Sequence, residues 1–171
     1  VRKNMHDTLN WFLDVYAGRK DVTLTIKSYG ELEKCNIPYI NEPNVKIIQK
    51  TEIYSELVKI MHDHHVLLYP SWGEGFGLIP LQAMATGMPA IFTDGWSDYN
   101  YLSDMVIDSE LVYNPWQMYH PGKMFRPDAD HFKKLMLNAE SNIDNLLNTQ
   151  FNRSLDIHND WSWNSIVKKH F

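Results

Sequence analysis

The chain has 171 residues, 44% of them hydrophobic, and a formal net charge of −5 from 16 basic and 21 acidic residues. This length and composition predict one globular domain with a substantial core. The mild charge, without any basic block, gives no indication of a nucleic-acid surface. A single Cys35 excludes an internal disulfide, no secretory leader pattern is present, and no apolar run approaches the roughly 20 residues of a membrane helix. These features favour a cytoplasmic protein without stable membrane insertion.

Strand and helix patterns alternate along the first half of the chain. Apolar residues at helical spacing predict a first helix from Met5 to Tyr16, with Gly18 as its stop, and a second helix over Ile53–Met61. Runs rich in β-branched or apolar residues predict strands at residues 21–28, 44–49 and 66–69. Because the third of these is a continuous apolar run stopped by a proline, we expect it to be covered on both faces of a parallel sheet.

The second half continues the alternation. After a loop at residues 71–77, we predict a helix of about ten residues starting at Leu78, and then a strand at 89–93. A last short strand is expected at Leu111–Tyr113. Apolar spacing predicts one amphipathic helix from Phe132 to Leu146. The aromatic and apolar residues beyond it are expected to dock onto the domain, and they are Trp161, Trp163, Ile166 and Val167.

This order of elements predicts an α/β fold with a doubly wound, mostly parallel Rossmann-like sheet and helices on both faces. A domain of this kind normally opens with a strand, whereas the present sequence opens with a helix. We therefore predict that residues 1–171 form one domain cut from a longer protein. An upstream strand and a partner domain would precede it.

The segment from Tyr69 to Leu78 carries the chemistry. In open α/β sheets, ligands bind beyond the carboxyl ends of the strands, where loops enter helices. Glycines at 73, 75 and 77 let the backbone approach a ligand, and the free amides of the following helix suit a diphosphate. Glu74 lies among these glycines and can accept hydrogen bonds from sugar hydroxyls. Gln82, one turn into the helix, can reach a ribose hydroxyl in the same cleft.

A family resemblance supports this interpretation. Residues 74–89, EGFGLIPLQAMATGMP, resemble the donor-site signature of retaining, family-4-like glycosyltransferases of the GT-B fold (glycosyl transferases group 1), written E-G-F-G-L-x-x-x-E-A-M-A-x-G-x-P. Arg2-Lys3-Asn4 resembles the basic phosphate-binding turn of that family, and residues 121–136 resemble its late helix entry. The resemblance therefore spans nearly the whole chain and is strongest from Tyr69 to Gly95.

The resemblance implies the donor-binding half of a retaining hexosyltransferase that takes a UDP- or GDP-hexose and needs no metal or other cofactor. Glu74 and Lys3 would be the catalytic residues. Arg2 and Lys3 would neutralise the diphosphate leaving group, and the remaining donor-binding residues would be Lys27, Gly75, Phe76, Gly77, Leu78 and Gln82. The acceptor, whose identity is open, would be bound by the missing N-terminal domain, so the isolated chain would be inactive. Gln82 departs from the family's glutamate, which predicts weaker ribose binding.

Other interpretations stay open at this point. The Gln82 departure also fits a sugar-nucleotide sensor or an inactive relative. Glu74 alone could be a solvated loop carboxylate, and Arg2 and Lys3 solvated terminal charges. A dinucleotide oxidoreductase is disfavoured because the three glycines do not follow G-x-G-x-x-G. The histidines at 62, 64 and 65 lack a second cluster at metal-ligand spacing, and Asp128 before a helix predicts an N-cap rather than a metal ligand.

Overall fold

The computed structural model describes residues 2–29 and 42–170, except for the side chain of His170. Cys35 and the loop predicted around it lie outside these residues. The helices are α1 (Met5–Tyr16), α2 (Tyr54–His62), α3 (Leu78–Ala85), α4 (Ala129–Ser141), α5 (Ile143–Trp161) and α6 (Trp163–His170), with a 3-10 turn at Asn100–Leu102. The strands are β1 (Leu24–Ser28), β2 (Val45–Gln49), β3 (Leu67–Tyr69), β4 (Ala90–Thr93), β5 (Val106–Ile107), β6 (Ser109–Tyr113) and β7 (Lys123–Pro127).

The strands are arranged in three hydrogen-bonded groups. β1 pairs with β2 in parallel, and β3, β4 and β5 form a second parallel group in that order. β6 and β7 form an antiparallel hairpin. Together with the helices between the parallel strands, this arrangement confirms the predicted α/β class. None of the described helices combines the length and apolar composition that crossing a membrane requires.

Helices cover both faces of the parallel strands, as predicted. β4 shows why: Ile91 and Phe92 are both fully buried, yet they belong to different core clusters because successive strand residues point to opposite faces. One cluster packs α1 and α4 against the strands, and its buried members include Leu9, Phe12, Ile26, Ile107 and Phe132. The other packs α3 and α5 on the opposite face, with Leu81, Met84, Tyr99 and Ile157.

Among the residues that the structure describes, β1 and β3 each have one edge without a paired strand. The Leu24 amide donates to Asn44 O at 2.9 Å, so the alternate amides of Thr25 and Lys27 face away from β2. The Leu67 amide donates to Pro89 O at 2.9 Å, so the Leu68 amide faces away from β4. Within the described residues, β1 and β3 form no strand pair with each other, although both contribute to the same core cluster. β3 is only half-buried because of this edge, but its two faces are covered as predicted, since Leu68 packs against one core cluster and Leu67 against the other.

Several predicted elements need correction. The single helix expected from Phe132 to Leu146 is two helices, because the backbone leaves helical geometry at Asn142, whose side chain bonds back to Asn138 O. α3 has eight residues, not ten, and ends before Gly87. β5 and β7 were not predicted. β5 has only two residues, and β7 ends in Arg-Pro, so neither strand has a clear alternation of apolar and polar residues. In the C-terminal segment Trp161 packs onto the domain, but Trp163 is 80% exposed.

Candidate functional site

The Glu74 carboxylate lies at the carboxyl end of β3, where several donors converge on it. Lys3 Nζ lies 2.7 Å from Oε1 and 2.8 Å from Oε2, and Arg2 Nη1 lies 3.0 Å from Oε2. Two hydroxyls also donate to Oε1, from Ser71 at 2.7 Å and from Tyr69 at 3.1 Å. The side chain is only 8% exposed. The residues predicted as sugar ligand and phosphate neutralisers are therefore in direct contact, although about 70 positions separate them in the sequence.

The charge of this cluster is unbalanced, since two cations share one acid. Burial of the Glu74 side chain raises its pKa, but hydrogen bonds from Lys3, Ser71 and Arg2 outweigh that effect and hold the pKa of Glu74 below its ordinary value. Burial, and then the neighbouring Glu74 charge, raise the pKa of Tyr69, so its hydroxyl stays protonated and donates. The cluster is thus a buried carboxylate with an excess of positive charge around it.

Backbone contacts bring the turn before α1 to this cluster. The Trp72 amide donates to Arg2 O at 3.0 Å, and the Arg2 guanidinium bonds to Gly73 O. Asn4 then adopts a left-handed conformation with φ of 56° and opens α1. The bond to Arg2 O holds the backbone of this turn against the glycine-rich loop, which explains how a basic pair at the start of the sequence becomes part of a site.

The loop enters α3 through Gly77, which has a φ of +80°. A Cβ at this position would lie 2.3 Å from the Trp96 ring and 2.5 Å from the Tyr99 hydroxyl, so only glycine fits. The Tyr99 hydroxyl donates to Gly77 O and holds the bend. No side chain among the described residues caps α3, so the amides of Leu78 and Ile79 in its first turn stay available to an anion, while Pro80 has no amide proton.

A cavity of about 370 Å³ opens beside Glu74. One wall is formed by the glycine-rich loop with Arg2, and the opposite wall by the β7 residues Lys123, Met124 and Phe125. The Phe125 amide donates to Trp72 O at 2.9 Å and joins the walls. Sequence patterns missed this second wall, as well as Trp96, whose indole N–H donates to Ser71 O at 3.1 Å. Nothing in the local sequence of the hairpin indicates such a role.

The other predicted site residues have different environments. Lys27 Nζ donates to Ser28 O at 3.3 Å and to Lys50 O, so this lysine serves the carboxyl ends of β1 and β2 and does not contact Glu74. Gln82 is half-buried on α3, and Phe76 packs against Tyr99 and Trp161 with ring centroids 5.6 and 5.7 Å away. Leu78 and Gly75 are exposed.

Two of the residues that were considered as metal ligands have structural roles. Asp128 caps α4, accepting from the His131 amide at 2.7 Å, as the sequence predicts. His64 bonds through Nδ1 to Ile60 O at 2.6 Å and through Nε2 to Thr25 Oγ1 at 2.7 Å. Among the residues that the structure describes, no group of three or more histidine, cysteine or acidic side chains is arranged to hold a metal ion.

Comparison with solved structures identifies the fold. The domain resembles WaaG, a glycosyltransferase involved in lipopolysaccharide biosynthesis, with a TM-score of 0.63 and 16% identity over 90% of this chain and 38% of that one. It also resembles sucrose-phosphate synthase from Thermosynechococcus elongatus, with a TM-score of 0.67 and 14% identity over 98% of this chain and 40% of that one. The fold is therefore that of one half of a GT-B glycosyltransferase.

Sequence comparison then gives the family. Residues 1–110 match the family model of the glycosyl transferases group 1, and the chain belongs to this family. It is 27% identical over 135 residues to the O-antigen chain mannosyltransferase RfbU of Salmonella typhimurium. The aligned region covers 75% of this chain and 34% of that protein. The chain thus spans about a third of the length of this curated relative.

Proposed function

We propose that this chain is the donor-binding half of a retaining hexosyltransferase that uses a UDP- or GDP-hexose. The observation that carries the proposal is the contact of Arg2 and Lys3 with a buried Glu74 at the edge of a cavity. A diphosphate joined to a hexose needs cations for one part and a hydroxyl acceptor for the other, and this cluster supplies both. Similarity to a mannosyltransferase makes GDP-mannose the first donor to test.

The proposed chemistry is transfer of the hexose from the nucleoside diphosphate to an acceptor hydroxyl. The bond from the anomeric carbon to the diphosphate oxygen breaks, and its electron pair goes to that oxygen. The acceptor oxygen forms the new bond, and its proton passes to the leaving diphosphate, which has received the electron pair of the broken bond. Negative charge grows on the leaving diphosphate, so Arg2, Lys3 and the uncapped amides of α3 would stabilise the transition state. In this proposal the cations take the place that a metal ion has in other transferases.

Binding measurements on the 171-residue chain test the proposal. Calorimetry with GDP-mannose, UDP-glucose, GDP and UDP should reveal weak binding of one nucleotide family, with the sugar conjugate preferred over its diphosphate. Addition of EDTA should leave this affinity unchanged. A chain that binds none of the four compounds would contradict the proposal.

A sensor is the alternative function, and Gln82 motivates it. If the chain belongs to a transferase, hexose transfer should be absent from the isolated chain but present in the longer polypeptide that contains it. Binding of the donor by that longer polypeptide, without release of nucleoside diphosphate, would support the sensor instead.

We also propose that a strand preceding residue 1 lies between β1 and β3. The open-edge amides of Thr25, Lys27 and Leu68 need partners at half-buried positions. Arg2 is bonded at the carboxyl end of β3, so a segment entering it through this gap would run parallel to both neighbours. Amide hydrogen exchange can compare the 171-residue chain with a longer protein that includes the preceding strand. These three amides should exchange faster in the 171-residue chain. Equal protection in both would contradict the placement.

A further inference from the structure

The two oxygens of Glu74 have different kinds of partner. Oε1 accepts from the hydroxyls of Ser71 at 2.7 Å and Tyr69 at 3.1 Å, and from Lys3 at 2.7 Å. Oε2 accepts only from cations, Lys3 at 2.8 Å and Arg2 at 3.0 Å, within the described residues. A carboxylate offers about four lone-pair sites, so these donors leave no site free for a ligand. A sugar hydroxyl can therefore bind Glu74 only if one of the present donors moves away.

The donors differ in how firmly the fold holds them. Ser71 is fully buried, and its hydroxyl also lies 3.2 Å from Gly73 O and 3.3 Å from Arg2 O. Tyr69 is the last residue of β3, half-buried, with its ring 6.2 Å from that of Trp96. The Arg2 and Lys3 side chains each make one further hydrogen bond, to Gly73 O and to the Tyr69 hydroxyl, but they are 31% and 46% exposed and long enough to turn toward a diphosphate. The cations are thus the donors that can leave.

We infer that Tyr69 and Ser71 are positioning residues that hold Oε1 of Glu74, while Oε2 passes from the cations to a hydroxyl of the donor hexose. The inference rests on the proposed function. As the diphosphate attracts Arg2 and Lys3, Glu74 loses its ionic partners and would be free to rotate. The two hydroxyls then keep the carboxylate in place and oriented, so that the free oxygen faces the sugar. Neither hydroxyl touches the donor in this arrangement.

Two conservative variants test the inference. Tyr69→Phe and Ser71→Ala each remove one hydroxyl, and Tyr29→Phe is the matched control because Tyr29 is 82% exposed and outside the cluster. Calorimetry measures the affinity of each variant for GDP-mannose and GDP, and for UDP-glucose and UDP. The ratio of affinities within the preferred pair isolates the contribution of the sugar. Thermal unfolding of each variant verifies that it is folded.

We expect each hydroxyl deletion to lower this ratio roughly three- to tenfold, while the affinity for the bare diphosphate is unchanged. Tyr29→Phe should leave both quantities as they are. The Ser71 hydroxyl lowers the pKa of Glu74, so Ser71→Ala should raise that pKa relative to wild type. When the pH is lowered, the variant should therefore lose its preference for the sugar conjugate at a higher pH than the wild type does. A merely structural defect would weaken the sugar conjugate and the diphosphate alike.

Two results would overturn the inference alone, and a third would overturn the proposed function as well. An unchanged ratio in both Tyr69→Phe and Ser71→Ala shows that the hydroxyls do not position Glu74. Equal weakening of both ligands shows that they only maintain the loop. If the wild-type chain itself has no preference for the sugar conjugate, the proposed function fails, and the inference fails with it.

Discussion

Two ion clusters of this domain have opposite compositions. At the site, two cations, Arg2 and Lys3, share the carboxylate of Glu74, which is almost fully buried. At the end of α1 one cation shares two acids instead: Arg19 bonds to Asp21 Oδ1 at 3.0 Å and to Glu140 Oε1 at 2.7 Å. In this second cluster the side chains are exposed, and they do not line the cavity beside Glu74.

This difference in burial and charge distinguishes a binding site from a network of surface ion pairs. An exposed network is solvated and screened, so it contributes little and needs no ligand. A buried carboxylate with surplus positive charge beside a cavity leaves cations that an anionic ligand can satisfy. Each cluster also adjoins a glycine with positive φ, Gly77 at the site and Gly18 beside Arg19. These two regions therefore offer matched variants.

The largest effect is expected at the two glycines. Alanine is strained at a positive φ, and this strain lowers the free energy of unfolding by about 1 kcal/mol. For Gly18→Ala we expect no further loss, because nothing lies within 4 Å of a Cβ at this position. Gly77→Ala must also displace the rings of Trp96 and Tyr99, so its loss should reach about 3 kcal/mol or more. Urea unfolding measures both. Equal losses would mean that the entrance to α3 is not as tightly packed as described.

Charge removal at the site should affect ligand binding next most strongly. Glu74→Gln keeps the shape but loses the charged acceptor, so affinity for the preferred nucleotide sugar should fall roughly 10- to 100-fold. Glu140→Gln is the control in the other cluster and should leave binding unchanged. Calorimetry decides between them. An undiminished affinity in Glu74→Gln would remove the basis for assigning the sugar contact to this residue.

The pH dependence of stability distinguishes the buried carboxylate. The folded-state pKa of Glu74 is lowered, so its ionisation stabilises the fold above the ordinary pKa, and that contribution is lost as pH falls through the folded-state pKa. The difference in unfolding free energy between wild type and Glu74→Gln should therefore shrink on acidification. Urea unfolding between pH 7 and pH 3 measures this difference. A gap that stays constant would contradict the lowered pKa.

The smallest effect is expected from the exposed cluster. Arg19→Gln removes both of its ion pairs, yet thermal unfolding should hardly change, because solvent and salt already screen these charges. Binding of nucleotides should also be unaffected. A marked drop in the unfolding temperature would show that the two clusters are more alike in energy than their exposure indicates.

Local patterns predicted most of the elements, because periodicity and glycine position are properties of short segments. The strands at β1, β2 and β4 and the helices α1 and α3 follow from them, as does the bend before Leu78. The β6–β7 hairpin did not follow, since only one of its strands has a recognisable apolar run. The break at Asn142 was missed because apolar spacing continues across it into α5.

The sequence by itself determined the α/β class, the glycine-rich bend and the candidacy of Glu74, since each depends on residues close together in the chain. Only the tertiary structure decided that Arg2 and Lys3 contact this carboxylate, that β7 forms the opposite wall of the cavity, and that the Lys27 amine bonds to backbone carbonyls after β1 and β2. Such contacts depend on how distant segments pack across the sheet. No local pattern encodes that packing, because the burial and hydrogen bonds that fix it arise from many segments at once.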